Sequence, residues 1–362
     1  MNIGGIGIVF ARGRGKAALA QALAQGWVPP VDVEVRGLPT GRLPVYTVAP
    51  ETLTDKTILA KARRADRFTR MSVLAAADAL QDSGLGNQVD KARLGIILAT
   101  ALGPHVTTFS FLDGILDFGD ASVSPTAFSH SVHNAAVSYI AMTLDARGPT
   151  LTLTHFHFAF HQAVLLAQTW LDEDRCDGVL VGATDELGAV MEYACGRMLR
   201  PAADGKIKPF AFSASPESVP GEGSVFFFLT RDAAGTYGQI RAGELLPEPT
   251  RDEASGVIQL LDACGMAQDE TAYRRAVWPG LLAAGYAPLF GSSMTGSAFH
   301  GAAAALMLQR QQQYACPVRD NPHGMMICGE TRTTAVREVF CTRLDCHGSA
   351  ATLRLARAPN IP

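Results

Sequence analysis

Three histidines in the middle of the chain could carry chemistry. His155, His157 and His161 follow a short apolar run at residues 151–154, with spacings of two and four residues. An imidazole can take up a proton, attack an acyl group or bind a metal ion. On an extended strand His155 and His157 would project to the same side, and a helix beginning at residue 158 would bring His161 near them. The spacing raises two hypotheses: catalysis at His157, and a metal site.

The metal hypothesis is the weaker of the two. No carboxylate or thiol stands close to the three histidines in the sequence, although metal sites often combine such ligands with imidazole. The alternating Phe156, Phe158 and Phe160 favour core or tunnel filling instead. We therefore expect packed or hydrogen-bonded histidines, with no metal and no cofactor.

The segment around these histidines predicts a strand, a tight turn and a helix. Residues 151–154 are apolar or β-branched, and residues 158–171 place apolar side chains at helical spacing. A side chain on such a turn is held at the top of a sheet above a helix N-terminus, which activates nucleophiles and stabilises oxyanions. The frame fits acyl transfer, but this turn offers imidazole and phenyl groups.

Strands and helices alternate along the first half of the chain. Strands are predicted over residues 3–9, 94–99, 179–181 and 224–229, and a helix from Asp66 to a stop at Gly84. This alternation predicts a layered α/β fold with strands buried on both faces. Gly5 and Gly7 in the first strand do not support a dinucleotide site, because Phe10 stands where a third glycine is needed.

Composition restricts the class of protein. The 362 residues are 48% hydrophobic and 18% charged, which suits a substantial core and a large subunit interface. A net charge of −3 gives no indication of nucleic-acid binding. The apolar runs are too short to span a bilayer, and the first residues lack the apolar stretch of a signal peptide, so we expect a cytoplasmic protein. Seven cysteines without C-x-x-C spacing favour reduced thiols.

Several segments resemble the β-ketoacyl synthases of the thiolase superfamily. Residues 148–160, GPTLTLTHFHFAF, resemble the run G-P-S-L-T-V-D-T-A-C-S-S-S and place His157 on its cysteine. Residues 208–223, KPFAFSASPESVPGEG, resemble R-P-F-D…R-D-G-F…G-E-G. Residues 292–308, SSMTGSAFHGAAAALML, resemble K-S-M-T-G-H-L-L-G-A-A-G and place Ser297 on a catalytic histidine. The H-G-T run that carries the other catalytic histidine is absent between residues 223 and 292.

The resemblance implies a thiolase-like, layered αβαβα fold made of two duplicated halves, with a shortened second half. We place the halves at residues 1–230 and 231–362. Residues 288–308 are expected to repeat the strand, turn and helix of residues 151–171. The terminal segment, residues 345–355, resembles the family's final G-F-G-G-T-N-A strand.

The resemblance also implies a function. Superfamily members that keep the fold but lose the cysteine include chain length factors, which pair with an active synthase and shape its acyl tunnel. We expect this chain to be such a non-catalytic subunit, with His157 and Ser297 as degenerate positions. Its partners would be a cysteine-bearing β-ketoacyl synthase, in a heterodimer, and an acyl carrier protein, in polyketide, aryl polyene or fatty-acid-like biosynthesis. Phe109, Leu112, Leu116 and Phe158 are the candidate channel residues, although a plain amphipathic helix explains the first three equally well.

Two alternatives stay open. A decarboxylase or acyl transferase could use His157 as base or nucleophile and Ser297 as a hydrogen-bond donor, but the chain lacks a second basic group for it. A homodimeric acyl-binding protein is the other. An adjacent gene for an active synthase would favour the chain length factor.

Overall fold

A computed structural model describes residues 1–86, 88–119, 121, 123–213, 215–231, 236–243, 255–266 and 270–357. The helices are α1 Gly15–Gln25, α2 Arg67–Asp82, α3 His105–Phe118, α4 Pro125–Ser131, α5 Ala135–Leu144, α6 Ala159–Asp172, α7 Ala189–Met198, α8 Glu270–Ala276 and α9 Gly296–Arg310. The strands are β1 Asn2–Phe10, β2 Gly13–Arg14, β3 Val31–Glu34, β4 Arg42–Val45, β5 Leu94–Thr100, β6 Thr150–Thr154, β7 Gly178–Asp185, β8 Arg200–Pro201, β9 Glu217–Ser218, β10 Gly223–Thr230, β11 Gln239–Ala242, β12 Val257–Leu261, β13 Leu282–Ala284, β14 Gln312–Gln313, β15 Arg332–Thr333, β16 Glu338–Leu344 and β17 Ala350–Ala356.

Within the described residues, one hydrogen-bonded sheet of eleven strands repeats the same order twice. The strand order is β13-β12-β16-β17-β11-β1-β10-β7-β5-β6, and β2 pairs with β1. In the set β6-β5-β7-β10-β1 the first three strands are parallel and the later pairings antiparallel, and the set β13-β12-β16-β17-β11 follows the same rule. The two sets meet where Asn2 pairs with Gln239. This repeat supports the proposal that the chain divides into duplicated halves at residue 230.

Close packing of α2 on β1 explains the glycines of the first strand. A Cβ atom at Gly7 would lie 2.0 Å from the carbonyl oxygen of Ala75, and one at Gly5 would lie 2.2 Å from that of Ala79. Only glycine therefore lets helix and strand approach so closely. The Asp66 side chain caps α2 by accepting the backbone N–H of Thr69 at 2.8 Å.

Helices α6 and α9 contact each other and belong to one hydrophobic core with strands of both sheet halves. Every residue of α9 from Gly296 to Leu308 is buried, which requires the small side chains of its alanine-rich sequence. The ring of Phe160 on α6 packs 5.5 Å from that of Phe227 on β10. The N-termini of both helices are thereby fixed relative to the sheet.

Most of the predicted elements are confirmed, including the strands at β1, β5, β7 and β10 and the helices α2 and α6. Two expectations are wrong in part. Strand β6 is not buried, because it ends the sheet and exposes Leu151 and Thr154. The second half has no strand at residue 288, where Ala287–Leu289 is a 3-10 turn; the preceding strand, β13, ends at Ala284. No helix of the described residues is long and apolar enough to cross a membrane.

Candidate functional site

The turn between β6 and α6 holds the first group of candidate side chains. Strand β6 ends at Thr154, so His155 and His157 lie on a turn. The metal hypothesis had assumed that both histidines lie on a strand. The Nδ1 atom of His155 accepts the backbone N–H groups of His157 and Phe158, each at 3.1 Å. The imidazole of His155 also stacks on the ring of Phe158, with centroids 5.8 Å apart and planes at 23°. This turn is thus organised by its own histidine.

His157 is half-buried, and its Nδ1 atom is buried without a hydrogen-bond partner among the described residues. Burial lowers the pKa of His157, and the positive charge of Arg343 lowers it further. His161 is fully buried beneath Phe158, with the two rings 5.8 Å apart, and burial lowers its pKa to about 3. Both imidazoles are therefore neutral near pH 7.

An ion pair between Asp262 and Arg343 occupies the second part of the site. Asp262 follows β12 directly, Arg343 lies on the neighbouring strand β16, and each is 2% exposed. The guanidinium Nη1 atom donates to the Asp262 carboxylate and, at 3.0 Å, to the carbonyl oxygen of Ser293. Burial lowers the pKa of Arg343 and is the largest single effect, but the Asp262 carboxylate together with Cys264 and Tyr273 raises the pKa overall. Arg343 stays charged, and its positive charge adds to the effect of burial, which is the main cause of the lowered pKa of His157 and His161.

Ser297 and His300 complete this cluster from α9. The Ser297 hydroxyl donates to the Asp262 Oδ2 atom at 3.4 Å. His300 Nε2 accepts the backbone N–H of Tyr286 at 3.2 Å, so its Nδ1 atom carries the proton and donates to the Gly296 carbonyl at 3.1 Å. Burial lowers the pKa of His300. The His300 imidazole thus has a structural role, with both nitrogens bonded.

Two acidic side chains, the half-buried Asp185 and the buried Glu222, tie the site to the sheet. Asp185, the last residue of β7, accepts the backbone N–H of Ala101 at 2.9 Å and that of Thr295 at 3.1 Å. Glu222 lies in the Gly-Glu-Gly motif that the sequence singled out. Its carboxylate pairs with Arg67 and accepts the backbone N–H of Leu187 at 3.0 Å. The motif is therefore a structural lock in this chain.

Glu186 and His105 face each other at a small cavity of about 40 Å³. The Glu186 Oε1 atom accepts the backbone N–H of Val106 at 3.0 Å and lies 3.9 Å from the His105 Nδ1 atom. Burial raises the pKa of Glu186 to about 8 and lowers that of His105. Both groups are neutral at pH 7, so their contact is not an ion pair.

A larger open cleft of about 190 Å³ lies beside Tyr273, whose hydroxyl donates to the carbonyl oxygen of Asp262 at 3.1 Å. Arg200 and Lys208 line the cleft, and both are paired with Glu217, at 3.4 Å and 2.9 Å. Their charges are therefore already compensated within the chain.

The candidate channel residues lie at the surface of the isolated chain. On α3, Phe109 is 39%, Leu112 is 44% and Leu116 is 82% exposed, whereas Phe158 is half-buried on the α6 turn. An exposure of this size does not fit the core-facing stripe of an amphipathic helix. It leaves these side chains free to face another subunit.

Sequence reasoning placed His157 on its turn but missed Asp262 and Arg343. Residues 257–261 are mostly apolar and have the pattern of a buried strand. The acidic residue directly after this strand was the available signal for Asp262. Arg343 gave no such signal. Among the described residues, no three His, Cys, Asp or Glu side chains are grouped so that they could hold a metal ion.

The sequence matches a known family. A family model described as the β-ketoacyl synthase N-terminal domain matches residues 2–234. The chain therefore belongs to the β-ketoacyl synthase family.

Curated relatives match shorter stretches. A Streptomyces halstedii protein described as a polyketide β-ketoacyl synthase is 30% identical over 152 residues, which are 40% of this chain and 35% of the relative. The 3-oxoacyl-(acyl-carrier-protein) synthase 2 of Staphylococcus aureus is 30% identical over 90 residues, 25% of this chain and 22% of that protein. The matched part is thus about a third and about a fifth of these relatives' lengths.

Solved structures match over the whole chain, at low identity. A β-ketoacyl synthase from Burkholderia phymatum has a TM-score of 0.79 at 16% identity and covers 99% of both chains. The ishigamide ketosynthase/chain length factor has a TM-score of 0.77 at 16% identity, covering 98% of both chains. A type II polyketide ketosynthase in complex with its acyl-carrier protein has a TM-score of 0.75 at 14% identity, covering 99% of both chains. These matches establish the thiolase-like ketosynthase fold.

Proposed function

We propose that the chain is a chain length factor, a non-catalytic ketosynthase-like subunit that pairs with a cysteine-bearing synthase and shapes its acyl tunnel. One observation carries this proposal: the turn before α6 presents the neutral imidazole of His157 and no thiol. Decarboxylative condensation needs a thiolate to hold the acyl chain and further groups to stabilise the enolate and the tetrahedral intermediate. An acyl-imidazole hydrolyses too readily to hold a growing chain.

The surface of the chain supports pairing. Strand β6 ends the sheet of the described residues; on it Leu151 is 41% exposed, and just after it Phe156 is 55% exposed. Backbone groups at a sheet edge pair readily with a strand of another chain. On α3, Leu116 and Phe118 are 82% and 73% exposed and provide further apolar area. A partner synthase would cover it.

The pathway proposed is polyketide, aryl polyene or fatty-acid-like biosynthesis in the cytoplasm, with an acyl carrier protein delivering the substrate. The similar structures include one that combines a ketosynthase with a chain length factor and one that holds an acyl-carrier protein. Their names support these two classes of partner for this chain.

The test is reconstitution with a cysteine-bearing β-ketoacyl synthase and an acyl carrier protein. We expect a stable one-to-one complex by mass photometry, and product formation that requires the cysteine of the partner. His157→Ala should leave turnover within about threefold of the wild type, because the imidazole takes no part in the chemistry. A turnover loss of orders of magnitude in an intact complex would refute the proposal.

One observation favours a second candidate function. The His157 Nδ1 atom is neutral and has no hydrogen-bond partner among the described residues, so it could act as a base. A decarboxylase or acyl transferase would then need no partner thiol. Incubating the purified chain with acyl-coenzyme A, followed by intact-mass analysis, distinguishes the two: an adduct or partner-independent turnover that His157→Ala abolishes would support the enzyme.

A further inference from the structure

The backbone N–H groups of the α6 turn are already in use. In a strand–turn–helix site, the N–H groups at the turn and the helix N-terminus behind them stabilise anions, including the thiolate and the oxyanion of acyl transfer. Here the N–H groups of His157 and Phe158 both donate to the Nδ1 atom of His155. As an acceptor of two N–H groups, this Nδ1 atom carries no proton. Stacking on Phe158 holds the ring in place.

Helix α9, whose N-terminus lies at the site, also has an acceptor close by within the chain. A Cβ atom at Gly296, the first residue of α9, would lie 2.9 Å from both carboxylate oxygens of Asp262. The Ser297 hydroxyl donates to the same carboxylate, and Arg343 balances its charge. The chain therefore supplies an anion at this helix N-terminus itself.

We infer that His155 is an internal ligand that occupies two N–H groups of the α6 turn, those of His157 and Phe158, which would otherwise be free to stabilise an anion. The chain is then inactive for two separate reasons: it lacks the thiol, and the N–H groups of His157 and Phe158 are already bonded to His155. Restoring a thiol at position 157 leaves that thiol unactivated. The inference deepens the proposed function and rests on it, but its test needs no partner.

The experiment places a reporter thiol on the turn with His157→Cys, in a Cys346→Ala background that removes the exposed native cysteine. The pKa of the reporter thiol is measured from the pH dependence of iodoacetamide alkylation, followed by peptide mass analysis. With His155 present we expect the ordinary value of about 8.5 or higher. With His155→Ala added, the freed N–H groups and the helix N-terminus should lower it by about one unit or more.

Three controls make the result specific. His155→Asn supplies a side-chain oxygen at the same spacing, which can accept the same two N–H groups, and should restore the high thiol pKa. His347→Ala removes another imidazole that interacts electrostatically with position 157 but leaves the cap in place, and should change the thiol pKa much less than His155→Ala does. The six buried native cysteines should stay unmodified in every variant, which shows that the fold is intact.

Two outcomes overturn the inference. The first is a reporter thiol that is already acidic, with a pKa near 7 or below, while His155 is present. The second is a thiol pKa that His155→Ala leaves unchanged in a folded chain. Neither outcome affects the reconstitution test, since a chain with free turn donors could still pair with a synthase. Conversely, failure to pair would leave the thiol measurement valid.

Discussion

Asp262 and Arg343 form a buried ion pair across two neighbouring parallel strands. The backbone N–H of Asp262 donates to the carbonyl oxygen of Thr342 at 2.9 Å, which brings the residue directly beside β16. Both side chains are 2% exposed, so each charge depends on the other for compensation. The pair fills the region where the fold brings together the α9 N-terminus and the end of β12.

The first prediction concerns the stability of this pair. Arg343→Met leaves the Asp262 carboxylate buried and uncompensated, and should lower the free energy of unfolding by about 3–5 kcal/mol. Adding Asp262→Asn removes the stranded charge and should recover about 2 kcal/mol or more. Urea unfolding of the single and double variants measures this. Strictly additive losses would show that the two charges are not coupled.

The second prediction concerns the pH dependence of stability. Because the pKa of Glu186 is raised from 4.5 to about 8, the folded state holds a proton that the unfolded state releases, and this contribution is lost as pH rises through the folded pKa. Between about pH 6 and pH 8, the free energy of unfolding of the wild type should therefore fall by about 2 kcal/mol. Glu186→Gln keeps the acceptor for the Val106 N–H and should abolish this part of the slope. Equal slopes in urea unfolding at the two pH values would contradict a neutral Glu186.

The third prediction concerns the acyl tunnel. If Phe109 and Leu112 face the tunnel of the partner, Phe109→Ala or Leu112→Ala should lengthen it. Each two-carbon extension buries two more methylene-sized groups at about 0.8 kcal/mol each, enough to shift the product distribution severalfold per step. Mass analysis of products from the reconstituted pair should show longer chains at unchanged total flux. If lengths stay the same while the complex dissociates, these side chains only form the interface.

The fourth prediction concerns the pairing surface. Leu116→Arg places a charge on the exposed face of α3 and should weaken binding of the partner synthase at least tenfold, a loss of about 1.4 kcal/mol or more. The matched control is Met326→Arg in the second half of the chain, where Met326 is 59% exposed. Titration by mass photometry should separate the two variants. Equal affinities would place the interface elsewhere.

The sequence by itself determined the local frame. Apolar spacing placed the strand and helix on either side of His157, and β1, β5, β7 and β10 were predicted because each is a continuous apolar run. The reason for Gly5 and Gly7, the close approach of α2, became visible only in three dimensions. Such patterns are readable because they depend on neighbours within a few residues.

Only the tertiary structure decided what the site contains. Asp262 and Arg343 are 81 residues apart, and no local pattern pairs them. The exposure of β6 depends on which strand lies beside it, and the raised pKa of Glu186 depends on burial by distant segments. His155 accepts hydrogen bonds from residues only two and three positions later in the chain. These bonds nevertheless require strand β6 to end at Thr154 and the imidazole to stack on Phe158. Burial and electrostatics are sums over the folded chain, so a sequence pattern places a side chain on its element but does not specify its surroundings.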